Sequence, residues 1–303
     1  MSIEPEFSGK LVVVTGPTAS GKTGIAIQLA KHYNSQIISA DSRQFYREIP
    51  IGTAAPNSSE LQEVEHHMIG NLSITENYNV SKFEVDVLNL LNRCLYDQNI
   101  VIMTGGSGLY IDAVCKGIDA LPDIDPKIRE EVKKMFIDNG LDALRSKLNS
   151  LDTEYYNQVD LNNPMRLMRA IEVCLQTGKQ YSRLRINKSA ARRFEIKKIG
   201  LLIPREELIE IINNRVDLMM ENGWVEEARS VYKHKNLNSL NTVGYKELFD
   251  YFDGKSTLSK AIEKIKTNTR RYAKRQMTWF RRDKEIHWFE KDDIDGMIRF
   301  IQE

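Results

Sequence analysis

The residues most able to do chemistry form one short run, GPTASGKT at positions 16–23. The run follows the β-branched segment 10–15 and precedes the helical pattern of 22–33, which is the context of a phosphate-binding loop. Its glycines let backbone N–H groups turn towards phosphate oxygens, and the helix start adds positive charge. Lys22 would supply a point charge, and the Thr23 hydroxyl could bind Mg²⁺. The pattern therefore predicts a phosphate site.

The phosphate compound is not identified by this loop alone. Most such loops bind a nucleoside triphosphate, so a small-molecule kinase, a GTPase or ATPase switch, and a transferase with a diphosphate leaving group all remain open. The sequence has no NKxD motif, which disfavours a GTPase switch. No clear apolar strand ends in a Walker B aspartate, although Asp41 directly follows the strand-like segment 36–40. A carboxylate there could hold metal through water, act as a base, or only cap the next turn.

Composition places the protein among soluble globular chains of about two domains. It has 303 residues, 41% hydrophobic and 28% charged, with a net charge of +1. The three cysteines, Cys94, Cys115 and Cys174, are far apart and form no CxxC, which disfavours disulfides and zinc. No signal core is present, and no run approaches the roughly 18 apolar residues of a membrane span. We therefore expect a cytoplasmic protein.

The remaining elements predict an α/β protein with a P-loop NTPase-like parallel-sheet core and a helical insertion domain. Segments 99–103 and 197–203 read as further buried strands. Between them the helical signal dominates from 118 to 194. We therefore expect residues 1–117 and 195–303 to form the core with its C-terminal helices, and 118–194 to form the insertion. The predicted core helices are 80–96, 205–220, 224–234 and 258–282.

Seven further segments stand in the order found in one known family. They are DSRQFYREIPIGTAAP (41–56), HHMIG (66–70), GGSGLYIDAV (105–114), NPMRLMRAIEV (163–173), PREELIEIINNRVDLMMENGWVEEARSV (204–231), VGYKEL (243–248) and TRRYAKRQMTWFRRD (269–283). Together with GPTASGKT they span most of the chain. The sequence thus resembles the tRNA dimethylallyltransferases, also called tRNA isopentenyltransferases.

The resemblance implies an activity and its partners. The family transfers dimethylallyl from dimethylallyl diphosphate to N6 of the adenosine 3′ of the anticodon, releases diphosphate and needs Mg²⁺. The partners expected are dimethylallyl diphosphate and the anticodon stem-loop of tRNA. We expect a monomer with no obligate protein partner and no membrane association.

The resemblance also implies roles for individual residues. Asp41 would contact the adenosine amine and act as general base, Ser107 would lie near the diphosphate or tRNA, and Arg215 would hold phosphate. The diphosphate would be cradled by Gly16, Pro17, Thr18, Ala19, Ser20, Gly21, Lys22 and Thr23, with Thr23 on Mg²⁺. The tRNA would meet Ser42, Arg43 and Gln44 near the reaction, and Arg129, Met165, Arg166, Arg169, Gly244, Tyr245 and Lys246 along the anticodon arm.

Four positions differ from the usual family pattern. Ser107 replaces Thr and keeps a hydroxyl, whereas Met165 replaces Gln and cannot hydrogen-bond a base edge. Arg43 stands where many members have Met and adds a cation, and Gly70 stands where Asp is usual.

Two stretches of the chain are locally basic. Segment 181–198 holds seven basic residues and one acidic, and segment 260–284 holds ten basic and two acidic. Either could hold an RNA backbone or be a solvated helix face. In the second, Ile262, Ile265, Tyr272 and Trp279 predict a core stripe, while Arg271, Arg275 and Arg282 fall on another face.

These features support a model of tRNA binding and leave two alternatives. We expect the core and the insertion to clamp the anticodon stem-loop, with segment 181–198 near the hinge. The alternatives are a small-molecule or nucleotide kinase and an RNA-binding P-loop protein without transfer activity. A kinase would bind ATP under an arginine-rich lid, whereas a prenyltransferase would have an apolar channel behind the loop.

Overall fold

A parallel β-sheet carries the centre of the fold. The computed structural model describes residues 7–93, 95–119, 121–186 and 190–303. The strands in these ranges are β1 (Lys10–Thr15), β2 (Ile37–Ser39), β3 (His66–His67), β4 (Ile100–Gly105), β5 (Glu195–Leu202) and β6 (Ile286–Glu290). They pair in the order β3-β2-β4-β1-β5-β6, and all of these pairings are parallel.

Helices connect and surround the strands. In chain order they are α1 (Lys22–His32), α2 (Ser58–Glu63), α3 (Val80–Arg93), α4 (Gly108–Lys116), α5 (Pro126–Leu151), α6 (Thr153–Tyr156), α7 (Pro164–Thr177), α8 (Tyr181–Leu184), α9 (Arg205–Glu221), α10 (Trp224–Val231), α11 (Tyr245–Phe252), α12 (Leu258–Phe280) and α13 (Ile294–Gln302). Helix α5 is kinked at Gly140, where φ is +72°. Short 3-10 turns lie at Tyr232–His234 and Asn238–Leu240.

The sheet is buried on both faces, as expected for parallel strands. Successive side chains of a strand point to opposite faces, so β1 divides its apolar residues between two cores. Leu11 and Val13 pack with residues of α3 and α4, whereas Val12 and Val14 pack with residues of α1 and α13. This two-sided burial explains why β1 reads as a continuous apolar run.

A third apolar cluster lies among helices α9 to α12. Its fully buried members include Leu240, Tyr245, Leu248 and Ile265, and Trp224 is almost as buried. These helices follow β5 in the chain and place Arg215 and α12 beside the phosphate loop through the contacts described below.

The chain separates into two compact units. One comprises the chain up to Cys115 together with Arg192–Glu303, and the other comprises Lys116–Ala191. The second unit has its own core, in which α5 and α7 pack around Val132, Leu144 and Leu167.

The predicted fold class is confirmed, and four predicted strands are found. Segments 10–15, 36–40, 99–103 and 197–203 correspond to β1, β2, β4 and β5. Two strands were not predicted. Strand β3 has only two residues, and β6 lies in the C-terminal region, where helices were expected to dominate.

Some sequence features concern residues outside the described ranges. Cys94 and residues 187–189 of the basic segment lie there, whereas Cys115 and Cys174 are buried within described helices. Within the described ranges, none of the helices has the length and apolarity needed to cross a membrane.

Candidate active site

The site lies where three neighbouring strands end. The phosphate loop follows β1, Asp41 comes two residues after β2, and Ser107 comes two residues after β4. Because the strands are parallel and adjacent, their carboxyl ends meet at one edge of the sheet, where ligands of α/β proteins bind. Gly105 permits the close approach of these ends, since a Cβ there would overlap the backbone of Ala40.

The phosphate loop has the backbone that its sequence predicts. Gly21, the residue before α1, has a left-handed φ of +80°, and a Cβ there would meet nothing within 4 Å. A Cβ on Gly16 would approach the Ser20 hydroxyl to 3.0 Å. That hydroxyl is buried and has no hydrogen-bond partner among the described residues. A buried polar group without a partner is suited to a ligand oxygen.

Two cations converge on this loop. Lys22 opens α1 and donates to Pro17 O at 2.6 Å, while Arg215 of α9 donates to the Thr18 hydroxyl at 3.4 Å. Burial and, to a smaller extent, the nearby Arg215 lower the pKa of Lys22 to about 7, although Asp41 opposes the shift. Burial also lowers the pKa of Arg215, again opposed by Asp41. Two desolvated cations of this kind are stabilised by an anion, such as a diphosphate.

Asp41 is held by its own turn. Its Oδ1 accepts the Arg43 backbone N–H at 2.9 Å, so the capping role considered from sequence is real. No described residue donates to its second oxygen, Oδ2. The carboxylate is close enough to Lys22 and Arg215 to influence both pKa values. Asp41 can therefore cap a turn with one oxygen and accept a proton with the other.

Ser107 connects the β4 end to the Asp41 turn. Its hydroxyl accepts the Ser42 backbone N–H at 2.9 Å and donates to the Ser42 hydroxyl at 3.1 Å. Its own N–H donates to Ala40 O at 3.3 Å. The Thr-to-Ser difference at this position therefore keeps the hydroxyl in use.

Arg43 and Gln44 are largely engaged with the protein. Arg43 Nη1 donates to the carbonyls of Asn238 and Ser239 at 2.9 and 3.2 Å. The Gln44 amide donates to Thr53 O and Ala54 O and accepts from Ser39. Both side chains thus order the loops around Asp41, and neither is fully exposed.

The Gly244–Lys246 turn differs from the expected RNA-contacting surface. Gly244 and Tyr245 are buried, and only Lys246 of the three is exposed. The Tyr245 hydroxyl donates to Glu227, whose carboxylate also accepts the N–H groups of Ile51 and Gly52 at 2.7 and 2.8 Å. A direct RNA contact is therefore not supported for the Tyr245 side chain. Its burial makes it a support for the 49–54 loop.

The residues expected on the anticodon arm lie in the second unit. Arg129, Met165 and Arg166 are exposed on α5 and α7, and Met165 retains 67% of its accessible surface. Arg169 is partly buried near Pro122 O, at 3.5 Å. Sequence reasoning missed Glu172, a buried carboxylate on α7: burial raises its pKa, while Arg129 and Arg169 oppose the rise.

The two basic stretches differ in how far their side chains are exposed and paired. In 181–198, Lys198 is buried and pairs with Asp283 and Glu285, and Arg192 pairs with Glu84. This part of the segment is structural. In 260–284 the solvent-exposed basic residues include Arg271, Lys274, Arg275, Arg281 and Arg282.

Helix α12 also carries residues that were misassigned or missed. Trp279 is not in the core as predicted: it is 36% exposed and donates from Nε1 to Asp112 at 3.0 Å. Gln276, which the sequence reasoning did not single out, is buried at 5% exposure between the phosphate loop and the Ser107 loop. An amide on the apolar face between Tyr272 and Trp279 was the signal that could have found it.

The candidate site offers only a few side chains that could hold a metal ion. In the described ranges, no group of three His, Cys, Asp or Glu side chains could hold a metal. His66 and His67 instead face Val64 O and Gln36 at 2.8 and 2.7 Å. Thr23, in the first turn of α1, and Asp41 offer hard oxygen donors. Mg²⁺ is commonly bound by few protein ligands together with water and substrate phosphates.

Comparison with known proteins identifies the family of this chain. The family model described as IPP transferase matches residues 44–283. A relative named tRNA dimethylallyltransferase 2, from Azobacteroides pseudotrichonymphae, is 52% identical over 94% of this chain and 93% of its own length. Another, tRNA dimethylallyltransferase 1 of Bacteroides fragilis, is 47% identical over 96% of this chain and 97% of its own length.

Solved structures of tRNA-modifying prenyltransferases are similar in fold to this chain. The tRNA isopentenylpyrophosphate transferase of Bacillus halodurans matches with a TM-score of 0.70 at 35% identity, covering 97% of this chain and 95% of that one. A eukaryotic dimethylallyltransferase acting on tRNA matches with a TM-score of 0.76 at 25% identity, covering 95% of this chain and 75% of that one. By sequence along most of its length and by fold, this chain belongs to the IPP transferase family.

Proposed function

We propose that this protein transfers a dimethylallyl group from dimethylallyl diphosphate to N6 of the adenosine 3′-adjacent to the anticodon in tRNA, releasing diphosphate. One arrangement carries the proposal: Lys22 and Arg215 both donate to the phosphate loop at the sheet edge where Asp41 follows β2. A base is thus paired with a site for an anionic leaving group. The names of the relatives and of the solved structures support the same reaction.

The leaving-group side consists of the phosphate loop and two cations. As the C–O bond of the allylic diphosphate breaks, negative charge grows on the diphosphate oxygens. Preorganised N–H groups of the loop other than that of Thr18, which donates to Gln276, would stabilise that charge together with Lys22 and Arg215. Because these groups are already desolvated, their interaction with the diphosphate is stronger than it would be in water.

The nucleophile side centres on Asp41. The exocyclic amine of adenosine is a weak nucleophile and must lose a proton as the new N–C bond forms. Oδ1 is engaged by the Arg43 N–H, so Oδ2 would accept that proton. The Ser107–Ser42 hydrogen bonds fix the loop that carries the base. An adenosine in the single-stranded anticodon loop can unstack to enter such a site.

Magnesium would supply further charge stabilisation on the diphosphate. The Thr23 hydroxyl would hold it. This donor set suits an ion whose other ligands are water and phosphate oxygens.

The tRNA would be held mainly through its backbone. Exposed cations that could bind it are Arg129, Arg166 and Lys246, along with those of α12. Since tRNA is a cytoplasmic substrate, we assign the reaction to the cytoplasm, and we expect a monomer without an obligate protein partner.

The direct test is incorporation of labelled dimethylallyl into unmodified tRNA, comparing the parent with Asp41→Asn. Asparagine keeps the oxygen that accepts the Arg43 N–H but is not a base, so we expect a loss of about 10²- to 10⁴-fold. Asp97→Asn, an exposed site in the same unit, is the control. Undiminished label in Asp41→Asn would remove Asp41 from its role. No label in the parent, with tight ATP binding, would favour a kinase.

A further inference from the structure

Helix α12 places a row of three side chains on the junction between β4 and α4. Tyr272, Gln276 and Trp279 are spaced by four and three residues and so share one face of the helix. Burial raises the pKa of the Tyr272 hydroxyl, and the nearby Ser107 opposes the rise. Gln276 Nε2 donates to Gly106 O at 2.9 Å, and Trp279 is anchored on Asp112.

Gln276 differs from its neighbours because it has a second partner on another loop. Its Oε1 accepts the backbone N–H of Thr18 at 2.8 Å. The orientation of the amide is determined, since Thr18 N can only donate and Gly106 O can only accept. A Cβ on Gly106 would overlap Nε2, so the glycine makes room for this contact.

The two loops that Gln276 joins serve opposite sides of the reaction. Thr18 lies in the phosphate loop, and its hydroxyl receives Arg215. Gly106 precedes Ser107, which holds the N–H of Ser42 beside Asp41. One buried amide therefore links the leaving-group side to the base side.

We propose that Gln276 is a positioning residue for the transfer: it holds the phosphate loop and the Ser107 loop at the separation that aligns diphosphate with the attacking amine. The inference rests on the proposed function. Group transfer is sensitive to such alignment, because a displacement of about 1 Å can lower the rate about 10²-fold. The Thr18 amide is also occupied by Gln276 and is not available to phosphate.

The test is Gln276→Glu, assayed from pH 6 to 8.5 with saturating tRNA. When protonated, the new carboxyl accepts from Thr18 and donates to Gly106 O, as glutamine does. When ionised, it faces the Gly106 carbonyl with a negative charge. Burial raises the pKa of such a carboxyl. We therefore expect kcat within about threefold of the parent at pH 6 and about 10²-fold below it at pH 8.5, with a smaller change in KM for dimethylallyl diphosphate.

Gln28→Glu is the matched control, since it makes the same change on the exposed face of α1 and should follow the parent at every pH. Gln276→Leu should lose activity at every pH, because both buried partners lose their hydrogen bond. A Gln276→Glu profile parallel to that of the parent would overturn the proposal, as would a change confined to KM.

Gly106→Ala adds a methyl group that would overlap Gln276 Nε2 and displace the same amide. This variant tests the proposal if Gln276→Glu does not fold. We expect this variant to lower kcat at least tenfold, and an unchanged kcat would overturn the proposal. A parent protein that labels no tRNA would instead defeat the proposed function.

Discussion

The phosphate loop and the turn at Gly244 both use glycine at positive φ, but for opposite physical reasons. Gly21 has φ +80° and open space around the missing Cβ. Gly244 has φ +98°, and a Cβ there would overlap the Trp224 ring. In the first case glycine shapes a backbone that stays open to a ligand. In the second it lets the chain close onto its own core. Glycine in a family motif therefore does not by itself identify a ligand contact.

The polar groups of the two turns differ in the same way: those of the phosphate loop suit a ligand, and those of the Gly244 turn bind other parts of the protein. Lys22 is desolvated beside Arg215, an arrangement that an anionic ligand would stabilise. At the other turn, Glu247 accepts the Gly244 N–H at 2.7 Å and Glu227 accepts three donors. Changes at the phosphate loop should therefore reduce activity, and changes at the Gly244 turn should reduce stability.

The largest effect is expected for Lys22→Met. Loss of the cation should lower the transfer rate about 10³-fold, or about 4 kcal/mol in the barrier. The melting temperature should not fall, because burial already disfavours the charged lysine. Labelled transfer and thermal melting measure the two effects. Lys31→Met, further along the same helix and more exposed, is the control. A large loss of stability with retained activity would mean that Lys22 serves the fold and not the reaction.

Gly244→Ala should cost about 3 kcal/mol of folding free energy, through overlap with Trp224 and a strained φ. Urea unfolding measures this. Gly254→Ala is the matched control, since its φ is +74° but nothing lies within 4 Å of the added Cβ. It should cost only about 1 kcal/mol. Equal effects at both glycines would mean that the Trp224 contact is unimportant.

Glu227→Gln should destabilise the fold by about 2 kcal/mol. The amide replaces one acceptor by a donor, so it cannot accept from Ile51, Gly52 and Tyr245 together. Glu226→Gln, at the exposed neighbouring position, should be nearly neutral. The same unfolding assay compares them. A neutral result at Glu227 would show that this carboxylate does not secure the 49–54 loop.

Thr23→Val should have the smallest effect, raising the Mg²⁺ concentration for half-maximal activity about tenfold, or about 1.4 kcal/mol. Valine keeps the shape of threonine and removes the hydroxyl, whereas Thr23→Ser keeps it and should resemble the parent. A magnesium titration after chelation measures both. An unchanged requirement in Thr23→Val would remove the hydroxyl from metal binding.

Predictions that depended on neighbours in sequence were the most successful. Strand β1 was placed at its observed ends because a β-branched run terminates in glycine. The phosphate loop followed from eight consecutive residues, and the parallel sheet from alternating strand and helix patterns. Strand β3 was missed because two residues have no periodicity, and β6 because its sequence IHWFE lacks a clear alternation.

Within the candidate site, the sequence did not reveal which polar groups meet. Trp279 was expected in the core on helical spacing, yet it lies at the margin, where its indole meets Asp112. Lys198 was counted with a basic surface, yet it is buried with Asp283 and Glu285. Helical and strand periodicity give the direction of a side chain but not what another element places in front of it.

The sequence by itself determined the phosphate loop, the α/β class and the family resemblance, because these depend on local backbone geometry and on the order of motifs. Only the tertiary structure decided that Tyr245 supports a loop from within the core and that Gln276 joins Thr18 to Gly106. The physical reason is that burial and hydrogen-bond partnership depend on groups far apart in the chain. Gln276 and Thr18 are separated by 258 residues and meet only when α12 packs beside the sheet.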